Sequence, residues 1–161
     1  MLKYFLAILV FACAGIVGTA HAQVPDDAPF KTLIGWWGGE GRLGFKEGKT
    51  ETVKCRVTYL EGATNSEVTQ TIRCASPSGK VEIKSTVTAN GKQVSGTWSA
   101  QVYNFNGDLN GQITDRGFRV SVAGNDLRAN MDVIVKDKLQ VIEIQFDTKA
   151  LVGMTLILKK G

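Results

Sequence analysis

The sequence predicts an all-β protein: a single antiparallel meander of about ten strands closed into a barrel, behind a short N-terminal plug. Three observations carry this prediction. From Trp36 onward, short runs alternate apolar and polar residues, the period of a strand with one dry face. Turn signals recur about every ten residues, at Ser76-Pro77-Ser78-Gly79, Asn90-Gly91, Asn104 to Asp108, Gly124-Asn125-Asp126 and Lys136-Asp137-Lys138, which is hairpin spacing. No segment sustains a helical period. A meander this long with one wet face closes most economically into a barrel, which leaves no unpaired edge. A two-sheet sandwich shares the local pattern, but hairpin-sized connections throughout favour the barrel.

The first element is a leader. Met1-Leu2-Lys3 carries one positive charge, Tyr4 to Val17 is uncharged, and Ala20-His21-Ala22 supplies small residues before Gln23. This predicts a secretory signal cleaved after Ala22 and a periplasmic or secreted protein. The apolar run is shorter than the about 20 residues of a membrane span, so no integral membrane protein is expected after cleavage. Lipid attachment at Cys13 fits less well, because Phe11 is bulky for that cleavage and the apolar run continues beyond the cysteine. Residues 23–34 read as a lead-in. Pro25 and Pro29 oppose a long helix, and Phe30, Leu33 and Ile34 would form one apolar turn plugging an end of the barrel domain, 35–161.

Cleavage removes Lys3, Cys13 and His21. The mature chain keeps a small basic excess with no basic block, so nucleic acid is not an expected partner. It has two cysteines and no histidine, which excludes Ser-His-Asp and Cys-His catalysis and histidine-bearing metal sites. Gly38-Gly39-Glu40-Gly41 lacks the strand-then-helix context of a phosphate loop. Glu40 and Glu143 are flanked by apolar residues and would be acid–base candidates if they pointed inward. Beside Arg42 and on a wet face, respectively, both read as outward. No enzymatic activity, metal or cofactor is expected.

The strands follow in order. Val53, Cys55, Val57 and Tyr59 share a face, as do Val68, Gln70, Ile72 and Cys74. Paired about a turn centred between Thr64 and Asn65, they set Val57 opposite Ile72 and Cys55 opposite Cys74. Two cysteines so placed in an exported protein predict a disulfide. Val81, Ile83, Ser85 and Val87 line the next strand. With Asn90-Gly91 as the two turn residues, Val87 faces Val94, Ser85 faces Gly96, Ile83 faces Trp98 and Val81 faces Ala100. Leu109, Gly111 and Ile113 follow, then Phe118, Val120 and Val122, then Leu127, Ala129, Met131, Val133 and Val135. Leu139 to Phe146 is apolar on both faces, and its pattern assigns no inward side. Met154, Leu156 and Leu158 face inward on the last strand.

The predicted interior mixes small and large residues, and its polar groups are Tyr59, Gln70 and Ser85. A barrel of this size either fills with side chains or holds one small apolar ligand. The ligand site would comprise Tyr59, Gln70, Ile83, Ser85, Gly96, Trp98 and Met131, with Ser85 and Gly96 forming a recess beside Ile83 and Trp98. Two functions fit: a carrier of a small apolar or amphipathic molecule, or a non-enzymatic envelope interaction or inhibitor module on a filled barrel.

Leu33-x-Gly35-x-Trp37-x-Gly39-x-Gly41 resembles the first strand of calycin-type barrels, most closely the nitrobindin and fatty-acid-binding branch. Gly35-Trp36-Trp37 is also similar to the Gly-x-Trp of lipocalins. The resemblance implies that Trp37 closes one barrel end and packs on a basic residue of the last strand. That residue would be Lys159 or Lys160, and Lys159 is taken here with Gly35, Gly39 and Gly41 as structural positions. Nitrobindin-like proteins hold haem iron through a histidine near the C-terminal end, which the mature chain lacks. Met131, Met154, Tyr59 and Tyr103 are the remaining candidate ligands. Core methionines are far commoner than haem ligands, so no haem is expected.

Overall fold

The computed structural model describes residues 28–161; the expected signal segment, its cleavage site after Ala22 and the first residues of the lead-in lie outside them. Ten strands follow one another: β1 (Gly35–Phe45), β2 (Thr50–Glu61), β3 (Glu67–Ser76), β4 (Gly79–Asn90), β5 (Gln93–Ala100), β6 (Phe105–Thr114), β7 (Gly117–Gly124), β8 (Leu127–Lys136), β9 (Leu139–Phe146) and β10 (Leu151–Lys160). Every neighbouring pair in sequence is antiparallel, and β10 returns to pair with β1, so the sheet is a closed barrel. A single 3-10 turn, Gln101–Tyr103, joins β5 to β6. Among the described residues no helix is long and apolar enough to cross a membrane.

Closure depends on the first strand having almost no side chain at two inward positions. A Cβ at Gly39 or Gly41 would collide with the carbonyl oxygens of Ile157 and Thr155 on β10. Only glycine lets the two backbones approach that closely where the sheet coils shut.

Residues 28–34 fold as successive turns across one end. The Lys31 N–H donates to the Ala28 carbonyl and the Leu33 N–H to that of Phe30. Phe30 and Leu33 are buried, and Phe30 stacks on Phe118 with ring centroids 5.5 Å apart. The Trp37 indole N–H donates to the Leu33 carbonyl at 2.7 Å, tying the plug to β1. With Val57, Tyr59, Val68, Val94 and Leu158, these residues fill the plugged half of the barrel.

Pairing of β2 with β3 places Val57 opposite Ile72 and Cys55 opposite Cys74, and the two cysteines form a disulfide. The β4–β5 register differs from expectation by two residues. Val87 faces Gly96, Ser85 faces Trp98, and Asn90 itself pairs with Gln93. The loop is therefore Gly91-Lys92, with a positive φ of 58° at Gly91 and none at Lys92. Glycine at the first loop position suits a turn that needs φ > 0 only there. A slip of two preserves which residues face inward.

Lys159 is corrected as the partner of Trp37. The β1–β10 register sets Trp37 against Lys160 and Lys159 against Gly38, so Lys159 points outward. The Lys160 ammonium lies 5.3 Å from the Trp37 ring centroid and donates to the Thr32 carbonyl at 3.0 Å. β9, whose pattern assigned no face, is oriented by its neighbours. Gln140 pairs with inward Leu158 and Ile142 with inward Leu156, so Gln140, Ile142, Ile144 and Phe146 point inside.

Candidate functional site

The half of the barrel away from the plug is hollow. A cavity of about 270 Å³ runs from mid-barrel to the end framed by the β1–β2, β3–β4, β7–β8 and β9–β10 turns. Its walls are Leu43, Val53, Ile72, Val81, Ile83, Leu109, Val122, Ile144, Phe146 and Met154, with further aliphatic residues between them. The shape follows from the sequence: inward positions on β3, β4 and β8 carry mid-sized side chains, whereas the bulky Trp37, Tyr59, Phe30 and Phe118 are spent at the plug.

Five of the seven expected ligand-site residues, Gln70, Ile83, Ser85, Trp98 and Met131, line this one cavity. Gln70 and Ser85 are cross-strand neighbours, and the Ser85 hydroxyl donates to the Gln70 side-chain oxygen at 2.8 Å. They are the deep polar spot of the lining, whose other polar side chain, Ser76, lies at the β3–β4 turn. Trp98 lies opposite Gly107 and, unobstructed there, its indole N–H reaches across β6 to the Ala123 carbonyl at 3.3 Å.

Tyr59 and Gly96 are not on the cavity wall. Tyr59 sits beneath it, buried, and its phenol oxygen accepts from the Gln140 amide at 2.9 Å. Desolvation pushes this phenol up to about 12, against the hydrogen bonds from Gln140 and Gln70. The Gln140 side-chain oxygen, fully buried, has no partner among the described residues. Gly96 offers no recess, because a Cβ there would collide with the Thr86 backbone carbonyl and crowd the Val87 Cα. Its small size serves strand contact. Gly96→Ala is accordingly expected to lower stability by about 1–3 kcal/mol through forced backbone displacement. Urea unfolding checks this, and an unchanged midpoint would contradict the close approach.

Two residues at this site were not anticipated. Gln140 was hidden because β9 alternates apolar residues on both faces. Glu51 was legible in principle, since it continues the inward column of Val53, Cys55 and Val57 by period two. It sits at the cavity mouth, where its carboxylate accepts from the Ser78 hydroxyl at 2.6 Å and the Ser78 N–H at 3.1 Å. The Lys49 ammonium is 2.7 Å away. Glu51 thereby ties the β1–β2 turn to the β3–β4 turn. Of the two carboxylates weighed from sequence, Glu40 lies opposite Lys54 and Glu143 opposite Asp132; both are exposed on the outer face.

The Lys49 ammonium, then the Ser78 hydroxyl, hold the Glu51 carboxyl down at about 2, from an ordinary value of 4.5. A carboxyl lowered on folding adds stability that is complete above the unfolded value and is lost as pH falls toward the folded one. The wild type should therefore lose thermal stability between about pH 4.5 and pH 2. Glu51→Gln should flatten that limb in melts taken across the same range, and parallel curves for the two proteins would contradict the assignment.

The residues present do not fit haem. Among the described residues there is no histidine. Tyr59 is engaged with Gln140, and Met131 and Met154 sit in the apolar barrel wall, the ordinary place of core methionines.

No protein-family model and no curated protein matches the sequence. Solved structures do match in shape. Rv2717c from M. tuberculosis superposes with a TM-score of 0.70 at 10% identity, over 83% of this chain and 95% of that one. The S-type phycobiliprotein lyase CPES from Guillardia theta superposes with a TM-score of 0.63 at 9% identity, over 82% and 90%. The barrel is calycin-like. At such identities the likeness is one of fold alone.

Proposed function

We propose that this protein is an exported carrier that holds one small apolar or amphipathic molecule inside its barrel. The observation that carries the reading is the cavity itself, with apolar walls and a single deep polar pair at Gln70 and Ser85. Concave, mostly apolar space with a few placed polar groups is the usual form of a small-molecule site. Export is supported by the leader-like residues 1–22 and by the Cys55–Cys74 disulfide, which belongs to oxidising compartments. The outer face carries Lys54, Arg56, Arg73, Asp108 and Arg119 at outward positions, the reverse of the apolar exterior of a membrane barrel. A binding role without catalysis is supported by the outward placement of Glu40 and Glu143 and by the scarcity of ionisable groups inside. The likeness to a protein named as a phycobiliprotein lyase bears on scaffold only.

A second reading, an envelope interaction module, is favoured by one feature. Val102, Tyr103 and Phe105 are exposed together on the β5–β6 connection, where the Tyr103 hydroxyl donates to the Lys80 carbonyl at 2.8 Å. The hollow interior weighs for the carrier. Native mass spectrometry of protein purified without detergent from its own host is the test. A stoichiometric small-molecule adduct, lost on denaturation, is expected; bare protein that also takes up no apolar probe would overturn the carrier reading.

A further inference from the structure

Among the described residues, none of the side chains lining the cavity is charged. Glu51 and Lys49, the ion pair at the mouth, are already matched to each other. A carboxylate or ammonium carried to the depth of Gln70 would meet no countercharge and lose its water, which is the costliest form of burial. A hydroxyl meets a different situation. Ser85 gives its proton to Gln70 and keeps lone pairs to accept another, while the Gln70 amide, with one N–H turned to Tyr59, has its second N–H to donate. The pair thus offers one acceptor and one donor side by side, the complement of a group that both donates and accepts.

Size narrows the class further. A dry cavity of roughly 150 Å³ takes a benzene ring, so about 270 Å³ accommodates a molecule of roughly ten non-hydrogen atoms.

We propose that the cavity is selective for an uncharged, largely apolar molecule of about this size that carries one hydroxyl, seated against Gln70 and Ser85, and that it rejects carboxylates of the same length. The inference rests on the carrier reading and sharpens it by naming the ligand's chemical class. The polar pair lies deep and the approach is apolar, so the hydroxyl enters first and the hydrocarbon trails toward the mouth.

Calorimetric titration of disulfide-intact protein with 1-nonanol, nonane and nonanoic acid tests this. Nonanol should bind one to one. Nonanoate at pH 7.5 should bind at least about a hundredfold more weakly, and should recover to within about tenfold of nonanol at pH 3.5, where the acid is largely uncharged. Ser85→Ala and Gln70→Leu should each weaken nonanol relative to nonane by roughly fivefold to tenfold. Ser85→Ala alone decides the point if Gln70→Leu fails to fold. Equal binding of nonanol and nonanoate at pH 7.5 overturns the neutral-ligand inference while leaving a carrier. Equal binding of nonane and nonanol, untouched by Ser85→Ala, overturns the polar seat. Failure of all three probes to bind removes the carrier reading and this inference with it.

Discussion

Trp37→Ala is expected to cost about 3–5 kcal/mol of stability, the range for a large buried aromatic truncated to alanine. The residue is fully buried, at 0% exposure, and two separate parts of the chain, the plug and β10, converge on it. Its indole N–H holds the plug through Leu33. Its ring carries the Lys160 ammonium, and its backbone pairs across the barrel seam with β10. Removing the ring leaves a cavity, an unpartnered Leu33 carbonyl and a Lys160 without its aromatic seat. Trp36 provides the internal control. One position along, it points outward, remains 45% exposed, and its ring lies under the Arg56 guanidinium at 4.9 Å and against Gly161, which has no side chain to lose contact with it. An exposed cation–π contact contributes about 0.5–1 kcal/mol, so Trp36→Ala should cost no more than about 1 kcal/mol. Denaturant unfolding of the two variants side by side measures the difference, and equal losses would reverse the assigned faces of β1.

Removing the Cys55–Cys74 disulfide as the double variant Cys55→Ala/Cys74→Ala should cost about 3 kcal/mol. The bond closes a loop of sequence separation 19, and the chain-entropy model gives that magnitude for the freedom restored to the unfolded chain. The native state loses little in comparison, because β2 and β3 remain paired along their whole length. The loss should therefore appear as a lower midpoint in urea with a modest rise in the slope, as the unfolded ensemble expands. Two reactive thiols in denatured, unreduced protein lacking residues 1–22 would show that the bond is absent.

These two residues sets also mark how the sequence was readable. The disulfide pairing followed from period-two columns meeting about a turn, and the two strands pair in that register. The Asn90-Gly91 hairpin followed from the same reasoning with a result two residues off. Asn-Gly is a strong signal for a turn with two positive φ values, but Gly91 alone takes that conformation and Asn90 stays in the ladder. The inward faces survived because side-chain direction depends only on parity. The ligand-site set shows the same division. Gln70, Ile83, Ser85, Trp98 and Met131 reach one cavity because each sits on a correctly assigned face. Tyr59 and Gly96 share those faces yet leave the cavity: height along the barrel separates the first, and contact with Thr86 the second.

What the sequence determined by itself is the set of local alternations: about ten strands, the dry faces of all but β9, and the cysteine pair. Each is set by neighbours within one hairpin, where the pleat and the turn leave few choices. Only the tertiary structure decided the rest. Lys160, not Lys159, meets Trp37 because the β1–β10 seam joins residues more than a hundred positions apart. Gln140 turns inward because Leu158 on β10 does. The barrel is filled at one end and hollow at the other because the plug gathers bulky side chains there, leaving mostly aliphatic walls, with Trp98, around Gln70 and Ser85. Volume inside a closed sheet is a sum over all ten strands at once, and no single strand's pattern contains it.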